Sequence, residues 1–189
     1  MKEALPLVAG HWKDGLLGLV TFSYPGRREM MRKIDAFYDE AERLLERPPW
    51  QTGCGDEAER LEKIVADSFL LHAVADSAVR LGHLAWRTKT DRRALVTILA
   101  VLRYRKDKGV YPDHLDALLV AGYVRKIPDD PYSGRPLGYR KATDGFVLYS
   151  WGENRKDDGG CLGTNNAGKP RMWANNGDWV FWPVERETE

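Results

Sequence analysis

The chain has 189 residues, with 29 Lys and Arg against 28 Asp and Glu and 43% apolar residues. That length is enough to bury a real core, in one ordinary domain or two small ones, and the composition belongs to a folded chain rather than a disordered one. A net charge of +1 creates no long-range field of one sign, so no nucleic-acid partner is expected.

Met1 to Gly10 carries Glu3 and lacks the apolar stretch of a secretory signal. Gly15 to Phe22 is the most apolar run. It falls well short of the ~20 residues that span a bilayer, so no membrane segment is expected. From Arg27 to Arg47, Met30, Met31, Ile34, Phe37, Tyr38, Ala41, Leu44 and Leu45 recur at three- and four-residue steps, which predicts an amphipathic helix. Pro48-Pro49 stops it, because proline cannot continue the hydrogen-bond ladder. Cys54 and Cys161 are far apart. They form either one bridge in an oxidising compartment or two free thiols, and without a C-x-x-C pair they point to neither zinc nor thiol redox chemistry.

Asp56 is an N-cap candidate for a long helical pattern running through Leu61, Ile64, Val65, Phe69, His72, Ala75, Val79, Leu84 and Trp86. At Asp91 the helix either restarts or runs straight through. Ala94, Leu95, Ile98, Leu99, Val101 and Leu102 extend it toward Tyr104, and Gly109 ends it. Pro112 opens a short helix with Leu115, Leu118 and Leu119, closed by Gly122. Pro128, Pro131, Gly134 and Pro136 mark a looped segment. Leu137 to Lys141 and Phe146 to Trp151 read as strands joined by Thr143-Asp144-Gly145. Asn154 to Asn176 is a polar loop, and Trp179 to Trp182 a last strand.

The predicted fold class is α+β: long N-terminal helices, with a small antiparallel sheet packed on the last long helix. The expected division is a helical segment over 1–55, then a long helix with a small α+β unit over 56–189. Leu95, Ile98, Leu99 and Leu102 are expected to pack against Val147, Tyr149, Val180 and Trp182, at about 1.5–3 kcal/mol for each aliphatic side chain buried.

The series Leu102-Arg103-Tyr104-Arg105-Lys106-Asp107-Lys108-Gly109-Val110-Tyr111-Pro112, then Ile127-Pro128-Asp129-Asp130-Pro131-Tyr132-Ser133-Gly134, then Gly138-Tyr139-Arg140 and Phe146 to Asn154, resembles the globular part of type II secretion major pseudopilins. It is especially similar to the form found at the C-terminus of larger bacterial proteins. The resemblance covers roughly the second half of the chain, Asp91 to Pro183. It implies a non-catalytic assembly or protein-interaction module of a secretion-related envelope protein, a protein partner or self-association, and an extracytoplasmic location. It also implies calcium in the loop before the last strand, a hard cation that takes six to eight oxygens. The family's acidic ligands fall on Asn154 and Asp178, with Asp157 and Asp158 adding charge between them. The prepilin leader and hydrophobic half-helix of the family have no counterpart here. Charged helical segments occupy Met1 to Thr90 instead, so a membrane-anchored filament role is not carried over.

Other constellations fall away. Gly163 to Lys169 has P-loop spacing, but Pro170 stands where a Ser or Thr must hold magnesium. Lys156 and Asn165 break an EF-hand reading of Asn154 onward. His11, His72, His83 and His114 are not spaced for one metal ion, and Asp129-Asp130 beside two prolines reads as a turn. No residue set meets the geometry of an enzyme mechanism. Of seven tryptophans, Trp151, Trp173, Trp179 and Trp182 cluster near the sheet. An alternative function follows from them: a soluble domain binding a peptide, glycan or protein through that tryptophan-rich sheet and loop.

Overall fold

A computed structural model describes residues 26–51, 56–66 and 69–183. Gly15 to Phe22, His11, Cys54 and the expected domain limit at residue 55 lie outside them, as does the side chain of His72.

Helix α1 spans Arg27–Glu46. It stops at Arg47, which is extended as a residue before proline must be, and a single 3-10 turn follows at Pro49–Gln51. Helix α2 spans Asp56–Val65 and α3 Phe69–Lys108. The long pattern expected from Asp56 is therefore broken between Val65 and Phe69. Beyond that break the helix runs unbroken through Asp91, which caps nothing. Helix α3 has 40 residues, roughly 60 Å of rise. It ends at Gly109, whose positive φ of 77° suits a residue without Cβ and whose N–H closes the last turn on Arg105 O at 2.8 Å.

Helix α4 covers Asp116–Val120. Strands β1 (Gly138–Ala142), β2 (Gly145–Ser150) and β3 (Trp179–Trp182) form one antiparallel sheet in the order β1-β2-β3. Thr143 and Asp144 make the hairpin turn, with Ala142 paired to Gly145. Among the described residues the α+β class is thus present, with the sheet against α3.

Two apolar clusters share α3. In the first, Phe37 of α1 meets Leu61 and Val65 of α2 and Ala75 of α3. Glu40, only 3% exposed on the same face, is held by Arg43 at 2.9 Å and Arg60 at 3.5 Å. The second gathers Trp86, Ala94, Ile98 and Val101 with Tyr111, Leu118, Tyr132, Leu137, Phe146, Leu148, Trp179 and Phe181. Trp86 ties the two together, its indole Nε1 donating to Leu44 O at 2.9 Å.

The expected contact between α3 and the sheet needs correction. Ile98 is buried and Leu102 partly so, but Leu95 and Leu99 face solvent. The covered face is Thr90, Ala94, Thr97, Ile98 and Val101. Small and branched side chains let the sheet approach the helix closely, whereas two leucines would hold it off. On the sheet, Phe146, Leu148, Trp179 and Phe181 point into this core, rather than Val147 and Val180, which alternate to the other side. Tyr149 is buried, but against the opposite face. Trp182 reaches the core because a bulge between Leu148 and Tyr149 leaves Phe181 as an extra residue on β3. Trp182 thereby stacks on Phe146, ring centroids 5.5 Å apart.

Candidate functional site

The loop between β2 and β3 carries all four residues expected to hold a cation. It opens on a turn in which Gly152 (φ 63°) and Arg155 (φ 57°) take left-handed conformations. Asn154 Oδ1 accepts from Lys156 N at 3.0 Å, an Asx turn of the kind short polar side chains favour. Its Nδ2 donates to Asp158 Oδ2 at 2.7 Å. Asp157 Oδ1 accepts from Gly159 N at 3.0 Å and from the Tyr149 hydroxyl at 2.9 Å. Burial together with the neighbouring Asp157 raises the Tyr149 pKa, so it remains a donor. Gly160 follows at φ 84°, where a Cβ would meet Val147 Cγ1 at 2.9 Å. Its N–H donates to Asp178 Oδ2 at 2.7 Å, while Asp178 N donates to Cys161 O at 2.9 Å.

Asp178 is fully buried and its Oδ1 has no hydrogen-bond partner. Burial pushes its pKa from 3.8 up to about 6, and the charges of Asp158 and Asp157 add to the rise against the backbone donors of Gly160 and Asp158. A carboxylate oxygen without a donor, beside two more carboxylates, is an arrangement that a hard cation relieves. In donor chemistry the set fits calcium. In spacing it is incomplete, because Asp157 and Asp158 are engaged by Tyr149 and Asn154. Among the described residues no three His, Cys, Asp or Glu side chains stand where they could hold a metal ion.

The rest of the loop is built on asparagines. Asn165 Oδ1 accepts from Ala167 N and Lys169 N at 2.9 and 3.0 Å. The amides that a phosphate would need at Gly163 to Lys169 are therefore partly used within the turn. Asn176 Oδ1 takes Thr164 N at 2.9 Å. Trp173, at φ 65°, lies edge-on to Trp179 with centroids 4.7 Å apart. Trp179 is fully buried and donates to Ala174 O at 3.0 Å. Trp151, Trp173 and Trp182 are half-buried, so the tryptophans near the sheet serve mainly its packing. Cys161 is a free, exposed thiol, and His114 is exposed.

Two polar junctions were not foreseen in their full extent. Asp130, fully buried, does more than shape a turn. Its Oδ1 accepts from Ser150 Oγ at 2.7 Å and Tyr132 N at 3.1 Å, and its Oδ2 from Trp151 N at 3.1 Å. Burial raises its pKa against those bonds. Glu153 receives Arg87 of α3 at 2.8 Å and lies 3.5 Å from His83 Nδ1. Its hydrogen bond to His83, followed by those from Arg87, holds its carboxyl below the usual range. The Arg87 guanidinium also lies over the rings of Trp179 and Trp173, at 5.4 and 5.9 Å. Nothing in local sequence separates these residues from surface charges, since apart from the neighbouring Tyr132 N each partner lies at least 20 positions away.

No protein-family model matches the chain, and no match is found among curated proteins or solved structures.

Proposed function

We propose that the chain is a non-catalytic, pseudopilin-like assembly or protein-interaction module, working outside the cytoplasm in a secretion-related envelope protein. The observation that carries this reading is the order of elements around the second cluster: a long helix closed by Gly109, a short helix, a proline-rich loop, a hairpin, a long polar loop and a last strand, all packed on one side of α3. The same order runs through the sequence series that resembles pseudopilins. The buried carboxylates support a non-catalytic role, because Asp130 is saturated with donors and Asp178 is sealed beneath the 157–160 turn.

Calcium is part of the proposal. Asn154, Asp157, Asp158 and Asp178 would hold it, and its charge would offset the repulsion centred on Asp178. The loop would then be fastened to β3 more tightly than in the calcium-free protein.

The whole reading is tested by sedimentation of the full chain, alone and mixed with a major pseudopilin subunit. A complex with the pseudopilin, or concentration-dependent self-association, is expected. A chain that stays monomeric in both measurements overturns the reading. Calcium is tested separately by calorimetry on metal-stripped protein, where the expectation is measurable heat and a higher melting temperature at millimolar calcium. Absence of both removes the ion while leaving the module standing.

A further inference from the structure

Helix α3 carries an apolar seam on the side turned away from its packing partners. Leu81, Leu84, Leu95 and Leu99 are 62%, 58%, 56% and 58% exposed. At about 100° per residue these four, with exposed Thr88 among them, fall in a band roughly 60° wide and roughly 27 Å long. The helical hairpin of α1 and α2 covers a different side, marked by Ala75, Gly82 and Trp86, where Leu44 approaches Gly82. The sheet covers a third, at Ala94, Ile98 and Val101. Nothing among the described residues covers the seam.

Its margins are basic. Arg80, Arg92, Arg103 and Lys106 are exposed beside or along the band, against the acids Asp91 and Asp107, the second of which lies 4.0 Å from Arg103. Neither Arg80 nor Arg92 has an ion-pair partner among the described residues. The four leucines, spaced by three, eleven and four with Thr88 inside the longer step, match the pitch of a facing helix. A bilayer surface would be met by a broader apolar face with aromatic anchors, and no aromatic ring is exposed along this seam. A second copy would bring the same arginines face to face.

From this geometry we infer that the seam docks an amphipathic partner helix whose aliphatic residues recur at three and four and whose flanks are acidic. The inference rests on the interaction-module reading and names the chemistry of the partner. Aliphatic side chains of that helix seat between Leu81 and Leu84 and between Leu95 and Leu99, and its carboxylates meet Arg80 and Arg92.

The test uses the full chain and two labelled helical peptides of about 21 residues, long enough to cover the seam. Both carry leucines at three-four spacing, one flanked by Glu and the other by Lys. Fluorescence anisotropy should show binding of the Glu peptide that weakens as salt screens the flanking charges, with the Lys peptide bound at least about tenfold more weakly. Leu95→Gln/Leu99→Gln should weaken the Glu peptide about tenfold or more, and Arg92→Glu should narrow the gap between the two peptides. Both variants should keep the parent melting temperature, because they alter only exposed positions. Equal binding of both peptides, or of neither, overturns the inference. So does binding to phosphatidylglycerol vesicles without peptide binding, or a dimer in sedimentation that the double variant dissolves. A pseudopilin complex that persists in a chain unable to bind the Glu peptide removes the seam and leaves the module. Loss of pseudopilin complex and self-association in the unmodified chain removes the module itself.

Discussion

Asp130 and Asp178 are both fully buried aspartates, yet their surroundings ask opposite things of them. Asp130 has three donors on its two oxygens, and it binds the proline-rich loop to the end of β2. Asp130→Ala strands Ser150 Oγ and two backbone N–H groups. A loss of about 3 kcal/mol or more is expected, read as a lower denaturant midpoint; Asp130→Asn, which keeps an acceptor, should lose less. Asp178 has one oxygen without a donor and a pKa lifted from 3.8 to about 6. An acid raised in this way holds its proton more tightly folded than unfolded. Its contribution to stability is present in full below 3.8 and is lost as pH rises through about 6. In calcium-free buffer, Asp178→Asn should therefore flatten the fall in melting temperature between these pH values, and at pH 7.5 it should melt no lower than the parent. A variant that melts several degrees lower at pH 7.5 would show that the charged carboxylate is needed for the fold.

Among elements, α3 is decided by its neighbours. Leu99 and Val101 are two residues apart and both apolar, but one is 58% exposed and the other fully buried. Leu99→Ala should shift stability by less than about 0.5 kcal/mol, as surface changes do. Leu148→Ala, which empties a fully buried site under the helix, should cost about 2–5 kcal/mol. Chemical denaturation of the pair checks the assignment of the face, and equal losses would contradict it. The hairpin has its own constraint: Gly138 pairs directly with Tyr149, and a Cβ there would run into the Tyr149 ring. Gly138→Ala should destabilise by about 1–3 kcal/mol through overpacking. It should also disturb the Tyr149 contact with Asp157 and so weaken any calcium response.

In the molecule as a whole, α3 passes through both apolar clusters, and several contacts among the described residues join the N-terminal helices to the sheet side. Trp86 donates to Leu44 O, Trp50 N donates to Pro131 O at 3.1 Å, and the Trp50 ring lies against Gly134, where a Cβ would come within 2.7 Å. These links couple the clusters, so Phe37→Ala should lower one shared transition by about 3–5 kcal/mol. Helical circular dichroism and tryptophan fluorescence should then move together. Fluorescence that stays unchanged while the dichroism shifts would show the clusters unfolding separately.

Much of this architecture is written locally. Pro48-Pro49, Gly109, Gly122 and Thr143-Asp144-Gly145 each limit an element through the conformations that their own backbones allow. The gathering of Asn154, Asp157, Asp158 and Asp178 on one loop beside β3 was equally legible, because hairpin and last strand bracket it in sequence. Tertiary structure alone decided which side of α3 is covered, since helical spacing marks two apolar faces and only the approach of the sheet chooses the small-residue one. It also decided the bulge that turns Trp182 inward, the engagement of Asp157 by Tyr149, and the donors around Asp130. Apart from Tyr132 N beside Asp130, those outcomes depend on groups brought within a few ångströms from at least eight positions away, a distance beyond the reach of local backbone preference.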